Sequence, residues 1–299
     1  MNPASRWKDW LTSYLLIIPG MILFCVFYVY PFYQSYRLSF FKWSGYTPMS
    51  TAKFIGLDNY RRAFDDTVFW EAVVRVFKVS AGIIVLEVPI ALLLALFVSR
   101  LVRGGIYRLI FFIPTILSPI IVGLIWKWMY EPKFGIVNQV LEAVGLSNLK
   151  HAWLAESGTA MGAISVTFVW ETFGTYFLLF LVGLIGMDRQ LYEAASIEGA
   201  NGRQTFRYVT LPLLVPTIIL VSILLVLGSM QIFGQVVIMT NGGPGYSTEV
   251  PAMRILKEAF DNVSMGYSTT LSVIFGFLLV MASFAQLFIS RRYGAKLYD

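Results

Sequence analysis

The sequence predicts an all-α, polytopic membrane protein built on six transmembrane helices, and three observations predict it. The 299 residues are 57% hydrophobic and only 13% charged, roughly half the charge of a soluble domain. Mean hydropathy is +0.69. Six apolar stretches reach the roughly 20 residues that a helix needs to cross a bilayer, at about 14–36, 73–98, 106–130, 160–187, 211–239 and 269–290. Composition therefore excludes an ordinary soluble enzyme and a disulfide scaffold. The 24 Phe, 16 Tyr and 8 Trp exclude a disordered tail.

Each stretch has its own signature. The first follows Arg6 and Lys8, a plausible signal-peptide start, but it exceeds the roughly 7–15 residues of a signal-peptide apolar core. No small-residue cleavage site follows, so it reads as a retained span. The second carries Glu87 beside Pro89, where a structural role at a kink outweighs a role in transport. The third ends in Trp126, Trp128 and Tyr130, which with Trp43 and Tyr46 mark one interfacial belt. Gly158 and Gly162 open the fourth at GxxxG spacing, a hint of close helix packing. The fifth holds Ser229, Gln231 and Gln235, and the sixth Gln286.

Lys and Arg crowd into the short loops of one side: Arg6, Lys8, Arg100, Arg103, Arg108, Arg189, Arg203, Arg207, Arg291, Arg292 and Lys296. Cytoplasmic loops carry this excess, so both termini are expected in the cytoplasm. Residues 1–13 then form a cytoplasmic N-terminus, 14–290 a single transmembrane domain, and 291–299 a cytoplasmic tail. The same excess accounts for the net charge of +6; with no basic run longer than two residues, nucleic acid is not an expected partner. A lone cysteine, Cys25, cannot form an internal disulfide, and a lone histidine, His151, leaves no metal cluster. Six helices surround only a narrow path, so a partner protomer is expected to complete any route across the membrane.

The most informative stretch lies between spans four and five, at 188–212. Leu191 to Glu198 reads as a short helix in which Ala194 and Ala195 permit close approach of another surface. Gly199 and Gly202 supply a turn. A second short helix is expected over Arg203 to Val209, ended by Pro212. A connector needs neither small residues nor a helix–Gly–helix layout. Two readings stay open on these grounds: a rigid knob for a soluble partner, or a linker lying on the membrane surface.

Glu193-Ala194-Ala195, Gly199 and then Leu211-Pro212 resemble the EAA---G---------I-LP loop of permease subunits in binding-protein-dependent ABC importers. Val209 stands where that pattern has Ile. Glu198-Gly199-Ala200 is similar to the DGA of the sugar-handling branch, with Glu in place of Asp. Thr240-Asn241-Gly242-Gly243-Pro244-Gly245, followed by Thr248-Glu249, resembles the T-x-GGP segment of maltose-type permeases. Ala259-Phe260, Gly266-Tyr267 and Phe54-Ile55-Gly56-Leu57-Asp58-Asn59-Tyr60 fit the same pattern, so the likeness covers nearly the whole chain.

The resemblance implies the type I ABC importer transmembrane domain in a bacterial or archaeal cytoplasmic membrane. It implies a non-catalytic, pore-forming subunit for a sugar, with Glu193, Ala194, Ala195, Glu198, Gly199 and Arg203 on a coupling loop that docks into a separate cytoplasmic ATPase. Glu193 is the first expectation for an ion pair or capping contact there. The chain has no G-x-x-x-x-G-K-[ST], so it holds no cofactor of its own; ATP and Mg belong to the ATPase dimer. The remaining implied partners are a second homologous permease in a heterodimer, an extracytoplasmic solute-binding protein and the lipid bilayer.

Maltose-type permeases contact sugar from the two helices that flank this loop. Counting without gaps places Phe168, Glu171, Thr172 and Thr175, and on the other helix Leu225, Gly228, Ser229 and Ile232, at the matching depth. A carboxylate accepts sugar hydroxyls in charge-assisted hydrogen bonds, and Phe168, Phe173 or Tyr176 offers a stacking face. Glu171 serves the sugar, or pairs with the partner permease or a backbone group. No cation shares these helices, which favours a neutral di- or oligosaccharide over an anion such as glycerol phosphate. An ion-coupled secondary transporter is the weaker alternative, because two isolated glutamates and no internal repeat do not meet its needs. A membrane enzyme would need a convergent catalytic constellation that the sequence lacks.

Overall fold

The computed structural model describes residues 3–99, 101 and 104–295, with side chains over 14–99, 101 and 105–288. Arg100, Arg103 and Lys296 lie outside the described residues, as do the side chains of Arg6, Lys8, Arg291 and Arg292. The described chain is mostly helical. In order come α1 (Pro3–Phe24), a π-helical turn (Cys25–Val29), α2 (Tyr30–Leu38), β1 (Phe41–Lys42), β2 (Lys53–Phe54), α3 (Asp58–Asp65), α4 (Thr67–Ser99), α5 (Gly104–Ile116), α6 (Pro119–Met129) and α7 (Ile136–Ala143). There follow α8 (Ala160–Ile185), α9 (Arg189–Ile197), α10 (Gly202–Thr205), a π-turn (Phe206–Thr210), α11 (Leu211–Met230), α12 (Gly234–Met239), α13 (Pro251–Leu256), a third π-turn (Lys257–Asp261) and α14 (Met265–Ala295).

Among the described residues five helical stretches are long and apolar enough to span a membrane: Tyr14–Leu38, Thr67–Ser99, Ala160–Ile185, Gly202–Met239 and Met265–Phe288. The sixth, at 106–130, is not straight. It breaks into α5 and α6, bent by 97°. Proline disfavours helical angles in the residue before it, and Ser118 ahead of Pro119 is extended (φ −67°, ψ 141°). The Ser118 hydroxyl then caps α6 by accepting the Ile120 N–H at 3.4 Å.

Pro212 also departs from expectation, because it does not end a helix. It stands in the first turn of α11, and the Leu211 N–H reaches back five residues to the Phe206 carbonyl. The widened π-turn gives the proline ring room that a regular α-turn would deny. The same device recurs at Cys25–Val29, where the Tyr30 N–H bonds the Cys25 carbonyl just before Pro31.

The described chain divides into two compact units. One takes the chain up to Thr67 together with Ile255–Gly276. There β1 and β2 pair antiparallel, Phe41 opposite Phe54, and Asn59 Nδ2 donates to the carbonyls of Ser39 (2.9 Å) and Phe41 (3.0 Å). Arg62 bonds the buried Glu258 at 3.1 Å and lies 3.7 Å from the Tyr267 ring centre. The Tyr267 hydroxyl donates to Asp66 at 2.8 Å.

The other unit takes Val68–Arg254 and the chain from Phe277 on, and α8 is its central helix. It buries Ala160, Ile164, Phe168, Glu171, Phe177 and Leu181 on several sides and packs against α5, α6, α11 and α12. Gly158 and Gly162 have open space where a Cβ would go, so their GxxxG spacing packs no helix among the described residues. The close approach is at Gly174, where a Cβ would collide with the Phe111 carbonyl oxygen of α5. Phe111 is held there between the edges of Phe173 and Phe177, at 5.8 and 5.3 Å. Gly174→Ala must push α5 off α8. It is expected to cost about 1–3 kcal/mol, read as a lowered thermal midpoint in detergent; an unchanged midpoint would contradict this packing.

Candidate functional site

Two places collect the residues that the sequence singles out, and both lie in the unit built on α8. The first is the middle of α8, where successive residues reach opposite neighbours. Glu171 accepts a hydrogen bond from Gln235 Nε2 of α12, while Thr115 of α5 donates to the Glu171 carbonyl at 2.9 Å. Thr172 Oγ1 lies 2.8 Å from Glu87 Oε1 of α4 and 2.9 Å from the Phe168 carbonyl, its one hydrogen shared between them. Glu87 is fully buried, and its Oε2 has no hydrogen-bond partner among the described residues. Polar groups at this depth are costly unless they satisfy one another.

The structure joins some of the predicted pathway residues and turns others away. Phe168 and Glu171 are buried, Thr172 and Thr175 half-buried. Gly228 of α11 faces this cluster: a Cβ there would sit 3.6 Å from the Tyr176 hydroxyl and 3.8 Å from the Phe168 ring. Leu225 and Ile232 are buried in the core. Ser229 turns to α4, where its hydroxyl bonds that of Ser80 and donates to the Leu225 carbonyl at 2.6 Å. Ser80 escaped the sequence reading because a lone serine in an apolar run carries no spacing signal. Glu171 pairs within its own chain, with a glutamine 64 residues away, which neither sequence alternative named.

The second place is the loop from 188 to 212. Asp188 caps α9 by accepting the Gln190 N–H at 2.9 Å, and Glu198 is its C-cap. Gly199 follows with φ +73°, a left-handed conformation that side chains other than glycine resist. Asn201 and Gln204 form a reciprocal capping box at the start of α10, with bonds of 2.8 and 3.0 Å. The expected helix–Gly–helix layout is present, its first helix running Arg189–Ile197. Glu193, Ala194, Glu198, Gly199 and Arg203 are exposed and Ala195 is half-buried. Glu193 makes no ion pair or cap among the described residues. Ile197 is 86% exposed.

One polar connector gains a partner set. Glu156 accepts the Ala152 N–H at 2.7 Å and bonds His151 Nδ1 at 2.8 Å. These bonds, the backbone one first, hold its carboxyl below the usual range. A depressed carboxylate stabilises its fold above the unfolded value and loses that contribution as pH falls through the folded value. Protection of the amides in the 152–160 turn, taken relative to their intrinsic exchange rates, is therefore expected to hold at neutral pH and to weaken below about pH 4. A flat profile there would contradict the assignment.

Comparison with known proteins identifies the family. The family model of the binding-protein-dependent transport system inner membrane component matches residues 87–294. The sulfoquinovosyl glycerol transport system permease protein SmoG of Agrobacterium fabrum is 34% identical over 280 residues, 90% of this chain and 89% of that one. The diacetylchitobiose uptake system permease protein NgcF of Streptomyces coelicolor is 34% identical over 266 residues, 85% of this chain and 75% of that one. In structure the chain is similar, at 21% identity and TM-score 0.82, to a chain of a bacterial ABC transporter involved in the import of the acidic polysaccharide alginate, covering 97% and 98% of the two chains. The chain belongs to the binding-protein-dependent transport system inner membrane components, as a multi-pass permease of the sugar-importing ABC transporters.

Proposed function

We propose that this permease imports a neutral di- or oligosaccharide, driven by ATP hydrolysis on a separate ATPase dimer that docks on the loop at 188–212. The observation that carries the docking reading is the exposed C-terminal end of α9: Ile197, its last residue, is 86% exposed, on a helix whose Glu193 and Ala194 and whose C-cap Glu198 are also exposed. A large apolar side chain held this far out within a polar rim suits an interaction site, and the docking reading sets it against a protein surface and not the membrane. Arg203 and Gly199 belong to the same docking surface. ATP and Mg reside on the ATPase, and the permease itself carries out no chemistry.

Sugar passes along the faces of α8 and α11, by Phe168, Glu171, Thr172, Thr175 and Gly228, with Leu225, Ser229 and Ile232 shaping the wall behind. The carboxylates of Glu87 and Glu171 and the absence of a cation among the described residues that contact them favour an uncharged cargo. A second homologous permease completes the path as a heterodimer, and a solute-binding protein delivers the sugar from outside. Both termini lie in the cytoplasm, and 14–290 acts as the transmembrane domain.

Affinity purification in mild detergent tests the assembly. The expected companions are an ATPase and a second permease; a lone homodimer would overturn it. In proteoliposomes with the binding protein, uptake of lactose or diacetylchitobiose is expected to exceed uptake of sn-glycerol 3-phosphate. The reverse order would overturn the neutral-cargo reading.

A further inference from the structure

We infer that Tyr192 is a positioning residue, the strut through which movement of α9 reaches α11. The inference rests on the coupling reading above. The Tyr192 hydroxyl lies 3.2 Å from Thr210 Oγ1 and 3.0 Å from Met187 Sδ. Met187 stands in the turn after α8, and Thr210 is the buried last residue of the π-turn that leads into α11. One hydroxyl thus ties together the end of α8, the body of α9 and the start of α11. Among the described residues, no other side chain of α9 hydrogen-bonds another element.

The strut works beside two other links, the chain that runs on through α10 and the contacts of α9 with the π-turn. Behind α9 lies a cleft of about 450 Å³, lined among others by Leu96, Ser99, Leu184, Tyr192, Phe206 and Thr210. An open cleft transmits no push, because packing forces need contact. A tyrosine ring has only two side-chain torsions, so it passes displacement on where a long aliphatic chain would absorb it. From Thr210 the helix runs to Leu225 and Gly228, a lever of roughly 22–27 Å at 1.5 Å per residue. Its far end is the candidate sugar path.

The test uses the complex as it copurifies, trapped with ATP and orthovanadate, and reads amide hydrogen exchange over 189–197 and 211–230. In the wild-type complex trapping is expected to change exchange in both segments. In Tyr192→Phe the change over 189–197 persists, while that over 211–230 shrinks by about threefold to tenfold, the worth of one hydrogen bond. ATP hydrolysis and copurification are unaltered. Thr210→Val is expected to match it, the double variant to add nothing further, and Thr210→Ser to keep the wild-type response. A merely structural tyrosine would instead raise exchange in both segments before trapping. Tyr192→Phe with a full response over 211–230 overturns the strut and leaves the coupling loop standing. A wild-type complex in which trapping alters neither segment overturns the coupling reading itself.

Discussion

Gly199→Val is expected to cut sugar import sharply while the permease still inserts and its ATPase still hydrolyses ATP. Gly199 closes α9 at φ +73°, and open space surrounds the position a Cβ would take. The cost is therefore conformational, not steric: a β-branched residue held in the left-handed region is strained by about 1–3 kcal/mol. Relief comes by redirecting the chain between Glu198 and Asn201, which misplaces the tip of α9 against its partner. Import measured in proteoliposomes should fall by about fivefold to a hundredfold, the worth of that strain at 1.4 kcal/mol per factor of ten. Glu193→Lys reverses an exposed charge on the same face and should act in the same direction without altering the fold. Normal import in both variants would remove the coupling role from this loop.

The second large effect lies at Gly228. A Cβ at this position meets the Tyr176 hydroxyl at 3.6 Å and the Phe168 ring at 3.8 Å, ordinary contact distances, so Gly228→Ala should import sugar at close to the wild-type rate. Gly228→Phe puts a ring into the space between α8 and α11 beside Phe168. Import is then expected to fall to background while ATP hydrolysis continues, because the change sits far along the chain from the docking loop. Equal import by the alanine and phenylalanine variants would place the sugar path elsewhere. Loss of both import and assembly in Gly228→Phe would mean that Gly228 serves helix packing and not passage.

What the sequence discloses here follows from which forces act locally. Long apolar runs and the Gly199 and Gly202 turn of the loop at 188–212 are local signals, and α9 appears within two residues of its expected start. The Asp188 and Asn201 caps are local too and escaped the sequence reading. The break of the third span was also written locally, in Ser118-Pro119, but an uninterrupted apolar pattern hid it. Pro212 misled for the opposite reason: a breaker by rule, it is absorbed by a π-turn that nothing in the sequence marks.

Partnerships inside the membrane were the least legible. Glu171 with Gln235, Glu87 with Thr172, and Ser80 with Ser229 join residues 64, 85 and 149 positions apart. Hydropathy registers each as a polar interruption but not where its partner stands. The fold supplies that, by bringing α4, α11 and α12 around α8. The GxxxG of Gly158 and Gly162 shows the converse, a spacing signal with no neighbour among the described residues, while Gly174 carries a real helix contact without any motif.

The most direct test of the account is a cross-link from the tip of α9. Ile197→Cys in a Cys25→Ser background places a single thiol on a residue that is 86% exposed. A short thiol-reactive photo-cross-linker there is predicted to capture the ATPase in the purified complex, with a yield that changes on trapping with ATP and orthovanadate. An assembled complex in which residue 197 captures only lipid or detergent would contradict the claim that this loop receives the force of ATP hydrolysis.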